Sequence, residues 1–385
     1  MGSVKPQSHA PAPSGRPRTP WRWACTVLVT VLLATPALGT PTLQPELGLD
    51  EGTAPSEEGP LLLHLPSPIG DLDYRAGRGL RVGNSGLTIG GFATAVGEIL
   101  EGGKRDGGID SLNFLISYRP LSFVHLFSEV ELTEPLFLES GKEGLRAQAE
   151  TSVDRLYADF GSSDAINLRV GQFLTPIGRW NLAPADPLVW TTSEPLLVEE
   201  VFDDTVKGAM LWGTLFPHQQ ALAYSLYGTF FNPITPDPDA VEPKHVAGAR
   251  FEWTGVGGTS LGLSYSASQK HGGDPWHSLV GVDGEWLPHE RVDFTCEALF
   301  GEGPRTNGAV NAFFIQGVVR TVSTLYVVGR YERFDTTRER AVDLFDLGLT
   351  WVPSPALRIK ADYEFADHSD DRSPPGFRFS FSVLF

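Results

Sequence analysis

Few residues in this 385-residue chain carry the types and spacings that chemistry needs. Gly258-Thr259-Ser260-Leu261-Gly262 has the G-x-S-x-G spacing, which exposes a serine nucleophile only where a strand turns sharply into a helix. A turn precedes it here and an alternating strand is predicted to follow, so Ser260 is not read as catalytic. Ser140-Gly141-Lys142-Glu143 lacks the residues and spacing of a phosphate-cradling loop. His271, His277 and His368 fall singly on predicted loops, and no H-E-x-x-H pair occurs. The two cysteines, Cys25 and Cys296, can build neither a disulfide framework nor a cysteine zinc ribbon. Cys296 reads as a small apolar side chain. No catalytic residue, metal or cofactor is expected.

The chemistry that remains is electrostatic. Acidic residues gather between Leu174 and Asp204, and Asp237, Asp239 and Glu242 form a second group able to bridge divalent cations to lipopolysaccharide. The net charge is −17, so the chain has no overall attraction for nucleic acid. With 41% hydrophobic and 20% charged residues it is also too polar for a helical membrane protein.

The elements that must position these charges are strands. In Phe377 to Phe385 (FRFSFSVLF), Phe377, Phe379, Phe381, Val383 and Phe385 share one face, and Arg378, Ser380, Ser382 and Leu384 the other. Just before it, Leu357, Ile359, Ala361, Tyr363 and Phe365 alternate with Arg358, Lys360, Asp362 and Glu364. Such strands separate oil from water. Sixteen are placed, beginning near Leu87, Asp110, Leu121, Ser152, Ala165, Thr205, Ala221, His245, Thr259, Ser278, Arg291, Asn307, Ser323, Val342, Ala356 and Gly376.

Every second connection is tight, as at Arg119-Pro120 and Pro288-His289, and those between are longer and polar. A soluble sandwich has no reason to obey that rhythm. An antiparallel barrel with periplasmic turns and extracellular loops does. Closure follows, because an open edge in hydrocarbon would leave backbone groups unsatisfied. The predicted fold is therefore all-β: a transmembrane antiparallel β-barrel of about sixteen strands. Tyr118, Trp212, Trp253, Trp286, Trp351 and Phe385 fall near predicted turns, where an interfacial aromatic girdle belongs.

Ahead of the barrel, Arg16, Arg18 and Arg22 precede the apolar run Ala24 to Ala34, and Ala37-Leu38-Gly39 offers a cleavage site. Residues 1–39 read as a signal peptide, 40–80 as a Pro-, Gly- and acid-rich periplasmic linker, and 81–385 as the barrel.

Two stretches carry a family resemblance. Leu168 to Gly178 (LRVGQFLTPIG) resembles a strand-to-turn segment of outer-membrane porins of the phosphate-selective O and P type. FRFSFSVLF is similar to the signal at Phe377, Phe379, Phe381, Val383 and Phe385 that the barrel assembly machinery recognises. The resemblance implies a homotrimeric sixteen-stranded porin in the bacterial outer membrane, surrounded by lipid and lipopolysaccharide, that passes small hydrophilic solutes without catalysing a reaction. It also implies that the long loop at about 174–204 folds inward.

The expected constriction is then Arg179, Asp186, Glu194, Glu199 and Glu200, facing a basic lumen wall of Arg155, Arg169, Arg250, Arg330, Arg358, Lys360 and Arg378. Fixed charges on two sides of a lumen set ion preference. The predicted loops hold no dense lysine series, so the reading carried forward is passive diffusion through a charged constriction. An anion- or phosphate-selective channel and a plugged structural or adhesive surface barrel stand as alternatives.

Overall fold

The computed structural model describes residues 61–66, 70–138, 147, 149–161, 163–218, 220–230, 243–255, 257–270, 274–306, 308–368 and 372–385. The predicted signal segment, the Ser140 to Glu143 stretch, His271, and the Asp237, Asp239 and Glu242 group lie outside them.

Three short strands come first: β1 (Leu61–Leu65), β2 (Leu72–Arg75) and β3 (Gly79–Val82). Sixteen longer ones follow. They are β4 (Leu87–Leu100), β5 (Arg105–Leu121), β6 (Val124–Leu138), β7 (Glu150–Phe160), β8 (Asn167–Leu174), β9 (Thr205–Leu215), β10 (Ala221–Thr229) and β11 (His245–Thr254), then β12 (Ser260–Gln269), β13 (His277–His289), β14 (Val292–Glu302), β15 (Ala309–Val322), β16 (Leu325–Thr336), β17 (Val342–Ser354), β18 (Leu357–Ala366) and β19 (Gly376–Leu384). Each pairs antiparallel with the next, and β19 returns to β4 from Gly376↔Leu100 to Leu384↔Phe92. The sheet is therefore a closed barrel of sixteen antiparallel strands.

The register puts polar residues inside and apolar residues outside. On β17, Leu347 and Leu349 are 50% and 49% exposed, whereas Asp346 and Thr350 on either side of them are 2% and 0% exposed. On β18 and β19, Arg358, Lys360, Asp362, Glu364, Ser380 and Ser382 are buried while Phe365, Phe377, Phe379 and Phe381 lie open. A water-soluble protein hides its apolar face; this barrel displays it, which is the arrangement that lipid demands. That contrast decides between sandwich and membrane barrel, which alternation alone could not.

Tight connections at 122–123, 290–291, 323–324 and 355–356 alternate with longer ones, of which 175–204 is the longest. The predicted strand starts agree closely, the main exception being β5, which begins at Arg105 and not near Asp110. Arg105 to Gly108 have poor strand propensity. Pairing of Arg105 to Gly108 with β4, and of Gly107 and Gly108 with β6 as well, overrides it.

The stretch read as a linker also contains structure. β1 pairs with β2, β2 with β3, and β3 with the start of β4 through Leu80↔Ile89 and Val82↔Leu87. The alternation of these segments is too short to stand out in sequence. Above β3 on the same edge, Gly91 and Phe385 exchange two backbone hydrogen bonds of 2.9 Å.

Of the residues expected in the girdle, Trp351, Tyr118 and Trp253 face outward. Trp212 does not. Parity along β9 places it inward with Val206 and Met210, under the Arg169 guanidinium 5.7 Å from its ring.

Candidate functional site

The loop at 175–204 folds into the barrel, as its contacts with strands on several sides show. Its apolar residues supply the reason. Ile177, Trp180, Leu196, Leu197, Val198, Val201 and Phe202 bury against the inward-facing Leu279, Leu299, Val310, Ala312, Phe314, Phe334, Val342 and Leu344 of β13 to β17. Each fully buried Leu or Val contributes roughly 1.5–3 kcal/mol relative to exposure, so this segment is a packed element of the wall. Trp190 packs against Tyr326 with the rings tilted and 4.8 Å apart, and Trp180 meets Phe314 edge-on at 6.0 Å.

Two carboxylates of the wall cap the short helical turns of the loop. Gly178 takes a left-handed φ of +66°, and a Cβ there would strike the Glu297 carboxylate. Glu297 approaches close enough to accept hydrogen bonds from the backbone N–H of Arg179, at 2.7 Å, and of Trp180, where a 3₁₀ turn (Trp180–Leu182) begins. Helix α1 (Leu196–Glu199) starts after Pro195, and the buried Glu332 of β16 accepts the Leu197 N–H at 3.2 Å. These are the N–H groups that a helix start leaves without partners of its own.

The cations expected to face the loop across the lumen lie beneath it. Lys360 Nζ donates to the carbonyls of Thr191 at 2.8 Å and Asp186 at 3.2 Å. Arg358 donates to the Val189 carbonyl at 3.0 Å and covers the Trp190 ring. Arg330 donates to Thr191 Oγ1 and the Ser193 carbonyl, both at 2.8 Å, and pairs with Asp346. The expected transverse field between loop and basic wall is thereby corrected: the apolar loop residues draw the loop onto β13 to β18, and its carbonyls take up the hydrogen bonds of that wall's cations, which lie under the loop and not across an open lumen from it.

The other expected basic residues are also committed. Arg250 is buried against Asp283, Glu252 and Ser264. Arg378 donates to the Pro374 carbonyl and lies near Glu98 and Glu364. Arg169 forms a two-pronged pair with Asp159, at 2.8 and 2.9 Å, over the Tyr157 ring. Arg155 pairs with Glu129 over Phe127. Within the loop, Arg179 is pinned to the wall by Glu252, Glu285 and the Ser260 hydroxyl.

The open space lies against β5 to β11. It is a chamber of about 640 Å³ whose charged lining is Asp110, Glu129, Glu131, Asp154, Asp186, Glu194, Asp203 and Asp204 against Arg155, Lys207, Lys244 and Arg305. Of the residues expected at the constriction, Asp186 and Glu194 line it, whereas Arg179, Glu199 and Glu200 do not; of the basic wall, only Arg155 does. Glu199 gives its carbonyl to Arg305 at 2.8 Å. Sequence reasoning missed Glu129, Glu131 and Asp154. The signal was present, since Glu129 and Glu131 share a strand face with His125, but attention to inward cations passed over the carboxylates beside them. Desolvation inside the barrel, aided by the charges of Asp204 and Glu199, pushes the Glu194 carboxyl up to about 8, although the residue stays in contact with solvent. Burial likewise raises Glu199 and Asp204 above the ordinary carboxylate range.

A closed barrel of sixteen strands, apolar outside and polar inside, with its longest loop folded into the lumen, has the fold of outer-membrane porins. Comparison with solved structures agrees. The chain is similar to the outer-membrane channel DcaP of Acinetobacter baumannii, with a TM-score of 0.54 and 10% identity over 84% of this chain and 100% of that one. It is similar to the anion-selective porin from Comamonas acidovorans, with a TM-score of 0.53 and 10% identity over 78% of this chain and 99% of that one. It is also similar to the trimer form of OmpT, an outer membrane protein of Vibrio cholerae, with a TM-score of 0.52 and 12% identity over 78% and 99% of the two chains. An uncharacterized protein of Aquifex aeolicus (strain VF5) is 24% identical over 361 residues, covering 78% of this chain and 80% of that protein. No protein-family model matches the chain.

Proposed function

We propose that this protein is an outer-membrane channel through which small hydrophilic solutes diffuse passively, with a preference for cations. The observation that carries the preference is the chamber lining, where eight carboxyl groups face four cations, and seven still outnumber the four when Glu194 is neutral. Rings of fixed acidic charge favour cations in a narrow aqueous path. The cations that would have favoured anions have their N–H donors taken up by loop carbonyls or are paired with buried carboxylates. Phosphate selectivity therefore has little to rest on, and the reading includes no catalysed reaction and no cofactor.

In the same reading, residues 1–39 act as a cleaved export signal and the C-terminal strand as the assembly signal. Lipid meets the apolar wall, lipopolysaccharide meets the loop end, and three copies assemble, as the OmpT structure is described as doing.

A second reading is favoured by one contact set. Ala185 and Leu188 of the loop join Phe92, Phe127, Tyr157, Val206 and Tyr227 of the opposite wall in one apolar cluster, so the loop reaches both sides of the lumen. A barrel closed this way would be a structural or adhesive surface protein.

The test is single-channel recording of the refolded mature chain in a planar bilayer under a salt gradient. The expected result is stepwise conductance with a reversal potential on the cation side. An anion-side potential overturns the preference, and no conductance from a folded barrel moves the assignment to the closed barrel.

A further inference from the structure

Polar residues of adjacent strands β5 to β8 meet along the chamber wall. Asn113 on β5 is directly opposite Glu131 on β6, and Glu131 is opposite Ser152 on β7. Ser152 Oγ donates to Asp154 Oδ1 at 2.7 Å, and the Glu131 carboxyl lies within hydrogen-bond reach of both Asn113 and Asp154. Gln172 on β8 is in register with Leu156, and its side chain reaches back along β7 to spend its amide hydrogens on the carbonyls of Val153, at 2.6 Å, and Asp154, at 3.1 Å.

One half of that amide is left over. Gln172 is 6% exposed and lines the chamber, yet its Oε1 has no partner among the described residues. Asn181 of the loop repeats the pattern: it is 1% exposed, its Nδ2 donates to the carbonyls of Thr175 and Asp204, and its Oδ1 is unpartnered. An amide oxygen cannot take up a proton to satisfy itself as a carboxylate can, so each needs a donor from outside. The chamber thus pairs excess negative charge with spare acceptors. A bare metal ion is a poor match, because no group of three or more His, Cys, Asp or Glu among the described residues is arranged to hold one. About 640 Å³ lies within the range that holds a small organic solute.

We propose that the group Asn113, Glu131, Asp154 and Gln172 is a binding station for small organic cations rich in N–H donors, alkylammonium or guanidinium in class. The solute's positive charge meets the Glu131–Asp154 carboxyl pair, acting as one anionic unit, while its N–H groups fill the amide oxygen of Gln172. This rests on the cation-preferring channel proposed above. It adds that passage is selective among cations, because a cation without N–H donors leaves the amide oxygens unfilled.

The test uses the full mature chain refolded in a bilayer and first records the reversal potential in KCl. Loss of cation preference at that stage overturns the channel reading. With preference established, putrescine, tetramethylammonium and Mg²⁺ are added as probes. Putrescine is expected to block the current at concentrations at least about tenfold below those needed of tetramethylammonium. Both Glu131→Gln and Gln172→Met should weaken that block while folding normally by heat-shift electrophoresis. Equal block by putrescine and tetramethylammonium, or strongest block by Mg²⁺, overturns the station and leaves the channel reading intact. The comparison of probes on the unaltered chain decides the matter even if a variant fails to fold.

Discussion

The ammonium of Lys360, on β18, ends 2.8 Å from the carbonyl oxygen of Thr191 in the middle of the inward loop. Its other acceptor is the Asp186 carbonyl, and the neighbouring Arg358 and Arg330 hold Val189, Thr191 and Ser193 in the same way. A row of cations on the wall therefore acts as a clasp on the loop backbone. Hydrogen bonds to a charged donor are worth about 1.5–3 kcal/mol each, enough to fix a loop of marginal intrinsic order.

Replacing the clasp changes noise before it changes selectivity. Lys360→Met removes two charge-assisted bonds from a side chain that is 1% exposed and does not line the chamber. Single-channel records should show more flicker between current levels, with the reversal potential unmoved. A shifted reversal potential would put Lys360 back in the conducting path.

The loop also carries a pH response. Glu194 titrates near 8, in surroundings that include Asp204, Glu199, Arg305 and Arg330. A carboxyl with a raised pKa is mostly neutral at pH 6.5 and ionised by pH 9, so the chamber gains one negative charge over that interval. Cation preference should rise from pH 7 to 9 in the parent, and Glu194→Gln should lack that rise. Matching curves for the two proteins would mean that Glu194 does not act on the path.

The barrel was legible in the sequence because lipid and water impose opposite demands on alternate residues, and Arg358 to Phe365 wrote both demands into one short segment. The inward course of the loop came only through resemblance. The wall it lies on was not legible, because that depends on which inward residues near the loop end are apolar: Val310, Ala312, Phe314 and Leu344 break the polar rule of the inner face to receive it. Local alternation treats those residues as irregularities. The polar group of Asn113, Glu131, Asp154 and Gln172 failed for another reason, since its members come from four strands whose relative register no single segment contains.

The outer face makes its own prediction. Leu349 is 49% exposed in the middle of β17, flanked by Leu347 and Trp351 on the same face. If that face meets hydrocarbon, Leu349→Arg should lower folding stability by about 2–4 kcal/mol near the midplane, and Leu349→Phe should be close to neutral. Urea titration of refolding in lipid vesicles measures both. Equal stability of the Arg variant would remove this face from the membrane.

Closure of the barrel depends on a close approach at Gly91. A Cβ there would collide with the Asn113 carbonyl oxygen and stand 2.8 Å from the Phe385 ring, which itself packs edge-on against Phe114 at 6.1 Å. The ring can turn aside, but the Asn113 carbonyl belongs to the ladder and cannot. Gly91→Val should therefore cost at least about 1–3 kcal/mol through overpacking at the seam between first and last strands. Gly97, on the same strand, has nothing within 4 Å of its Cβ position, so Gly97→Val is the matched control. In heat-shift electrophoresis the Gly91 variant should lose its compact band at a lower temperature than the parent, and the Gly97 variant should not. Parallel loss in both variants would trace the effect to glycine content along β4 and not to the Gly91–Phe385 contact.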